Sequence, residues 1–413
     1  MKIEPRTLKG FRDFLPAQMR KRQYVINTLK QVFESYGFEQ LETPALEYEE
    51  ILSGKYGEEG DKLMYRFKDN GDRSVALRYD QTVPLARVAA QYLNDLPLPF
   101  KRYQISNVWR GENTQAGRFR EFTQCDIDTI GSASLLTDAQ TIACVIEGLK
   151  KLGFEKFKVI INDRKIFSDL ATKFNLDSDL PKIIRAIDKI KKIGAEKVLD
   201  ELIDSGIKSD LANYIMQTIK AQKPTADLNK LFKYLEELGI SNENYEFAPF
   251  LARGLDYYTS TIFEVEIEDY DVGSVAGGGR YDELIGIFSN NSIPAVGAAF
   301  GFDRVIEAME TLNLFPDLTK VPNVRVLVCV FNEELLTKSI ELLNYIRKTG
   351  LNAELYDNPA EKLEKQIKYA DKKGIMYAAI IGPDELNTNT VTIKNLRIKD
   401  QQTISWEDML KVI

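Results

Sequence analysis

Residues 103–131, YQISNVWRGENTQAGRFREFTQCDIDTIG, hold two extended runs on either side of a polar loop, and this stretch restricts the fold more than any other. Two such runs joined by ENTQAGR predict an antiparallel hairpin. On the second run Phe122, Gln124, Asp126 and Asp128 share parity, so they face one side of the sheet. An aromatic ring, an amide and two carboxylates make a poor core and a good ligand floor. Arg110, Glu112, Arg118 and Arg120 lie close to the turn, with Trp109 and Phe119 between them. Arginines interleaved with aromatics suit recognition of a planar or anionic ligand, and a solvated, salt-bridged hairpin is the plain alternative.

Around this hairpin the pattern is mixed. Met19, Val25, Ile26, Leu29, Val32 and Phe33 keep helical spacing over 17–36, and Gly37 ends that helix. FEQLETPALE reads as a strand bent at Pro44, a residue that suits an edge. Segments 74–78, 101–110 and 119–130 look extended, with a helix over 79–95 and another over 135–151 closed by Gly153. Residues 168–240 change character: apolar residues recur at helical period with lysines on the other faces, which predicts a helical insertion with its own small core. TIFEVEIE then alternates with period two, and a glycine-rich turn is expected at 273–280. The segment 311–323, with two prolines, reads as a linker. Beyond it, short apolar strands alternate with helices over 333–349 and 360–373, which predicts a small, parallel-rich α/β domain.

Composition removes whole classes of chemistry. The chain of 413 residues contains no histidine, so imidazole is absent as base, nucleophile or metal ligand, and Ser/His, Cys/His and His–zinc chemistries are excluded. Cys125, Cys144 and Cys329 are too few and too far apart for a disulfide framework or a thiolate zinc site, and they point to a reducing compartment. No apolar run approaches the ~20 residues of a spanning helix, and the first residues carry no apolar core of a secretory signal. A cytoplasmic protein without membrane segments is expected. The net charge of −7 decides nothing about nucleic acid, because a local basic groove can supply phosphate contacts.

Three further stretches carry chemical side chains. LARGLDYYTSTIFEVE (251–266) places Arg253 and Asp256 beside a glycine, followed by Tyr257 and Tyr258, whose rings combine an apolar body with a hydroxyl. VAGGGRYDEL (275–284) has three glycines that would let backbone approach a ligand, without the spacing of a phosphate or dinucleotide loop. AVGAAFGFDRV (295–305) reads as a strand passing through Gly301 into a helix, with Arg304 near the helix start where phosphate can be held.

Arg110 and Glu112, a loop, then Arg118-x-x-x-Phe122 resemble the second signature of the class II aminoacyl-tRNA synthetases, and GFDR at 301–304 resembles the third. The helix and strand around Pro44 are compatible with the first, at a dimer interface. ARGLDYYTSTIFE (252–264) and GGGRYD (277–282) resemble the histidine-specific members of that group, and LRYDQTVP (77–84) resembles their archaeal and eukaryotic-like version. KLEKQIKYADKKGIMYAAIIGPDEL (362–386) resembles their anticodon-binding domain. The resemblance implies an α+β architecture. Its antiparallel-sheet catalytic domain would occupy 1–167 and 241–320, interrupted by the helical insertion 168–240 and followed by an α/β anticodon-binding domain over 321–413.

It also implies an activity: ATP-dependent activation of L-histidine and its transfer to tRNA(His), by a homodimer using Mg²⁺ with its ATP. Arg110 would clamp the α-phosphate and the amino-acid carboxylate, and Arg253 would stabilise charge on the α-phosphate during transfer. Phe122 would stack on adenine with Glu112 nearby, while Arg118 and Arg304 would hold the nucleotide's phosphates. Asp80, Gln81, Thr82 and Gln124 form the stretch expected around the substrate ammonium, and Asp128, Tyr257 and Tyr258 that around imidazole. Two positions depart from the family pattern: Thr123, where bacterial members often carry histidine, and Gln81, where an apolar residue is usual. Within the same fold the rivals are a silent paralogue regulating ATP phosphoribosyltransferase and a sensor of uncharged tRNA. Intact Arg110, Arg253 and Arg304 disfavour both.

Overall fold

In the computed structural model the predicted hairpin forms. Phe100–Trp109 and Glu121–Ile130 pair antiparallel, from Phe100 opposite Ile130 to Trp109 opposite Glu121. The structure describes residues 3–114, 117–253, 257–270, 272–289, 291–316 and 324–413, with residues 57–59 as backbone alone. The chain divides into two compact units, Met1–Leu314 and Phe315–Ile413.

The hairpin sits in an eight-stranded sheet of the first unit. Across the sheet the order is Glu39–Gln40, Phe100–Trp109, Glu121–Ile130, Ala295–Gly301, Ala276–Arg280, Thr261–Ile267, Phe157–Asp163 and Tyr245–Phe247. Only the two outermost pairings are parallel. Alternation on Glu121–Ile130 works as predicted: Cys125 and Ile127 are fully buried on the face opposite to Gln124, Asp126 and Asp128. Helices Pro16–Ser35 and Leu135–Lys151 cover that apolar face. The second helix starts at Ser134, whose hydroxyl accepts from Leu136 N, and carries Lys150 and Lys151 in its last turn. Its Ile142, Val145, Ile146 and Leu149 have no exposure, each contributing roughly 1.5–3 kcal/mol relative to an exposed side chain. With one face sealed, the other is left for a small sheet (Leu46–Tyr48, Arg66–Lys68, Ser74–Leu77), the helix Thr82–Gln91 and a cleft.

The glycine-rich segment departs from expectation. Ala276–Arg280 is no turn but a strand buried along its whole length, paired on both sides. AGGGR has little strand propensity, yet two flanking strands saturate its backbone and, as shown below, neighbouring side chains need the space a Cβ would take.

The helical insertion begins earlier than predicted, at Lys165, and its core of Ile166, Phe167, Ile183, Ile184, Ile187 and others also takes in Ala252. The last helix assigned to it, Ala226–Glu237, instead packs on Leu135–Lys151 with Leu228, Leu231 and Leu235 buried. Helical periodicity fixes which face is apolar and says nothing about what covers it. The end of the 311–323 linker, residues 317–323, lies outside the described residues.

The second unit is a five-stranded sheet in the order Ala353–Leu355, Val326–Val330, Tyr377–Ile381, Thr390–Asn395, Asp400–Ser405. Its first three strands are parallel, as expected. The last two form an antiparallel hairpin that periodicity did not single out.

Candidate active site

The open face of the large sheet floors a cleft of about 420 Å³. Register sets out the floor as rows of three. Arg102, Asp128 and Gly297 lie side by side on adjacent strands, then Gln104, Asp126 and Ala299, then Ser106, Gln124 and Gly301. The third strand is small at each of these positions, so the polar groups of the central strand stand uncovered. Strand rise of about 3.4 Å per residue separates Phe122 from Asp128 by roughly 20 Å, the span of an extended ligand.

Each end of that row has its own chemistry. Near Phe122, the cleft is lined by Arg110, Glu112, Arg118, Phe119 and Arg304. The Arg110 guanidinium lies 5.2 Å from the Phe122 ring centroid and 4.4 Å from that of Tyr79, with Nε donating to Tyr79 O at 3.1 Å. Arg304, in the first turn of Phe302–Thr311, donates to Ser274 O at 2.9 Å. Arg118 faces Glu112 at 3.5 Å. Loop residues 115–116 lie outside the described residues.

At the opposite end, Asp128 is buried and held from two sides. Arg102, with no exposure, places Nη2 2.7 Å from Oδ2, and the Tyr281 hydroxyl donates to Oδ1. Burial pushes the Asp128 carboxyl up while Arg102 and the Tyr281 bond pull it down. Tyr257, Tyr258 and Tyr281 pack together, with ring centroids 4.9 and 5.9 Å apart. Burial raises all three phenols, so they remain neutral hydroxyls able to donate and accept. Asp80 is 4% exposed at the start of helix Thr82–Gln91. Its Oδ1 accepts from Tyr56 at 2.9 Å and from the amides of Thr82 and Val83 at 3.1 Å.

Arg253 also lines the cleft, its guanidinium 5.4 Å from the Tyr258 ring centroid. Its Nη1 donates to Phe263 O and meets Glu264 at 3.2 Å, while its buried Nε has no partner. It is followed by residues 254–256, so Asp256 lies outside the described residues.

Glycines on Ala276–Arg280 and on its neighbour Ala295–Gly301 explain how these side chains fit. A Cβ on Gly277 would lie 1.9 Å from Arg253 Nη1, one on Gly279 2.8 Å from Tyr258 Cδ1, and one on Gly297 1.9 Å from Asp128 Oδ1. The glycines make room for arginine, tyrosine and aspartate, where the sequence suggested backbone approaching a ligand. Gly277→Ala also brings Cβ within 2.9 Å of Phe263 O, which is backbone and cannot swing away. This variant should lose about 1–3 kcal/mol of stability and displace Arg253, so activity should fall further than the population of folded protein does. Urea unfolding beside a turnover assay at 20 °C checks this, and a fully active variant would contradict the packing argument.

Comparison with known proteins gives the family. A family model described as histidyl-tRNA synthetase matches residues 10–305, and an anticodon binding domain model matches 324–413. The chain belongs to the histidyl-tRNA synthetase family. It is 40% identical to the histidine–tRNA ligase of Cytophaga hutchinsonii over 98% of this chain and 99% of that one. The corresponding enzyme of Rhodopirellula baltica is 39% identical, covering 98% and 96%. The crystal structure of histidyl-tRNA synthetase from Nostoc superposes over the whole of both chains with a TM-score of 0.84 at 32% identity.

Within this cleft, sequence and structure differ at identifiable points. The cleft lining includes Asp80, Thr82, Arg110, Glu112, Arg118, Phe122, Gln124, Asp128, Arg253, Tyr257, Tyr258 and Arg304, all predicted. Gln81 is the exception. It is fully buried against the first hairpin strand, its side-chain nitrogen donating to Ser106 O at 2.9 Å, Ser106 Oγ at 3.1 Å and Gln124 O at 3.3 Å and its backbone carbonyl accepting from Arg102. It braces the floor and does not line it. Arg102 and Tyr281 were missed. Arg102 faces the floor because register sets it opposite Asp128, and Tyr281 stands in GGGRYD, where the glycines are the more visible signal. Arg280 of that motif turns to the helix face, where it pairs with buried Asp138.

Proposed function

We propose that this cleft activates L-histidine with ATP and passes it to tRNA(His), the work of a histidine–tRNA ligase. The observation that carries this reading is that Arg110, Arg253 and Arg304, from three distant stretches, line one cleft whose far end holds Asp128 and Tyr258. In the first step the histidine carboxylate attacks the α-phosphorus of ATP and pyrophosphate leaves. The nucleophile is already an anion, so no base is required, in keeping with a chain that lacks histidine. Catalysis then rests on holding the reactants in line and on fixed guanidiniums that meet the charge developing on phosphate. Arg110 and Arg253 take that role at the α-phosphate, Arg118 and Arg304 at the outer phosphates, and Phe122 stacks on adenine with Glu112 beside it.

Mg²⁺ fits as part of the ATP substrate. Among the described residues no three acidic or thiol groups gather as a cage, and Mg²⁺ bound chiefly through phosphates needs only one or two carboxylates. Glu112 and Asp303 are carboxylates that line the arginine-rich end. For the transfer step the base is proposed to be a phosphate oxygen of the adenylate.

Specificity comes from groups left unpaired by a wrong substrate. Asp128 and Tyr258 are positioned for the two ring nitrogens, and a buried charged hydrogen bond left unmade costs about 1.5–3 kcal/mol. Asp128→Asn should therefore lower histidine activation about tenfold or more while ATP affinity stays within about twofold. ATP–pyrophosphate exchange measured with each of the twenty amino acids tests the assignment, and exchange driven by another amino acid at equal rate would remove it.

The matched second unit supports tRNA as partner. A homodimer is supported by exposed Leu46 and Tyr48 on the strand after Pro44, and sedimentation should give twice the chain mass. A cytoplasmic location is supported by three buried free thiols. No described helix is long and apolar enough to cross a membrane.

A further inference from the structure

The floor carries a carboxyl that the assignments above leave unused. Asp126 lies between Gln124 and Asp128 on the central strand, is 2% exposed, lines the cleft, and has Oδ1 without any hydrogen-bond partner. The charged groups around it are Arg102 from the first hairpin strand, Arg110 from its end, Asp128 on its own strand and Asp80 ahead of helix Thr82–Gln91. Arg102 commits its Nη2 to Asp128 and the carbonyl of Gln81. Arg110 is turned to Tyr79 O and the Phe122 ring. Neither cation makes a hydrogen bond to Asp126, and a buried carboxyl without a partner is costly.

We propose that Asp126 is a further binding residue for histidine, receiving the substrate's α-ammonium group together with Asp80 and Gln124. The inference rests on the orientation given above, with imidazole at Asp128. In that orientation the ammonium must lie on the arginine side of Asp128, over the middle row of the floor, where Asp126 stands opposite Gln104 and Ala299. Ala299 is too small to cover it. The ammonium is also the one group of histidine that is a full cation at neutral pH, since free imidazole titrates near 6.5. Burial, with Asp128 and Asp80 nearby, holds the Asp126 carboxyl well above its usual range, and an arriving cation offsets that penalty. Gln124 Oε1, likewise buried and unpartnered, offers the neighbouring acceptor.

The test uses the full chain and three probes: L-histidine, L-histidinol, which keeps the ammonium and lacks the carboxylate, and 3-(imidazol-4-yl)propanoate, which lacks the ammonium. Binding is measured by calorimetry. Asp126→Asn, equal in shape and uncharged, should weaken L-histidine and L-histidinol about tenfold and change imidazolylpropanoate by less than about twofold. The spared probe doubles as the control for folding, with thermal melting beside it. Equal weakening of all three, or no change in any, overturns the proposal. Asp128→Asn in parallel should weaken all three probes. If it does so while Asp126→Asn is silent, the inference fails and the orientation stands; if it spares imidazolylpropanoate, the orientation itself fails and takes the inference with it.

Discussion

Arg253→Ala should lower the turnover of histidine-dependent ATP–pyrophosphate exchange by about 10²–10³-fold, with the Michaelis constants for histidine and ATP changed far less. The size follows from where the guanidinium lies. It is seated against Gly277, tied to Phe263 O and Glu264, and keeps a buried Nε with no partner in the chain. A buried donor left free is costly unless a ligand completes it. Charge on the α-phosphate grows only as the carboxylate attacks, so removing the donor raises the barrier more than it weakens ground-state binding. The backbone reinforces the argument. Arg253 sits at φ +53°, in the left-handed region that costs a residue other than glycine roughly 1–2 kcal/mol. Its neighbour Ala252 is buried in the helical insertion's core, which holds the chain there. Arg253→Lys should not rescue, because an ammonium cannot make the guanidinium's two-sided contacts. An alanine variant with turnover near that of the parent would show that Arg253 does not face the phosphate.

Arg102→Leu should be the most destabilising single change in the floor, by about 3–5 kcal/mol, because it leaves the buried Asp128 carboxylate without its counter-charge. The same change should weaken histidine binding at neutral pH. Burial already pushes the Asp128 carboxyl up and Arg102 is the foremost influence pulling it down. Without the guanidinium the carboxyl retains its proton at higher pH and cannot accept from an imidazole N–H. Histidine affinity of the variant should then recover as pH rises, since the ionised form is the binding form. The double variant Arg102→Leu with Asp128→Asn removes both charges and should regain much of the lost stability while remaining poor at binding histidine. Urea unfolding of the four proteins closes this cycle. Independent, additive losses would mean that the pair is not coupled.

The sequence revealed the hairpin and its ligand-facing side because a period of two is a local property: Phe122, Gln124, Asp126 and Asp128 needed no knowledge of their neighbours. The partners of those residues were harder to see. Arg102 acquires meaning only when register brings it opposite Asp128, and Tyr281 only when a strand 153 residues further along the chain places its hydroxyl on the same carboxylate. Ala276–Arg280 read as a turn because glycine disfavours strands, while its actual role, leaving space for Arg253 and Tyr258, depends on side chains remote in sequence. Gln81 stands between Asp80 and Thr82 in the sequence, yet its side chain is buried against Ser106 and Gln124 O and does not line the cleft. Signals that live within one element were legible. Those created by two elements meeting were not.

The most direct test of the account is a crystal structure of the protein with a non-hydrolysable histidyl-adenylate analogue. The arrangement predicts imidazole within hydrogen-bond distance of Asp128 and Tyr258, adenine lying on the Phe122 ring, and guanidiniums of Arg110 and Arg253 on the phosphate mimic. An analogue found reversed along the strand, or bound away from the row that runs from Phe122 to Asp128, would contradict it.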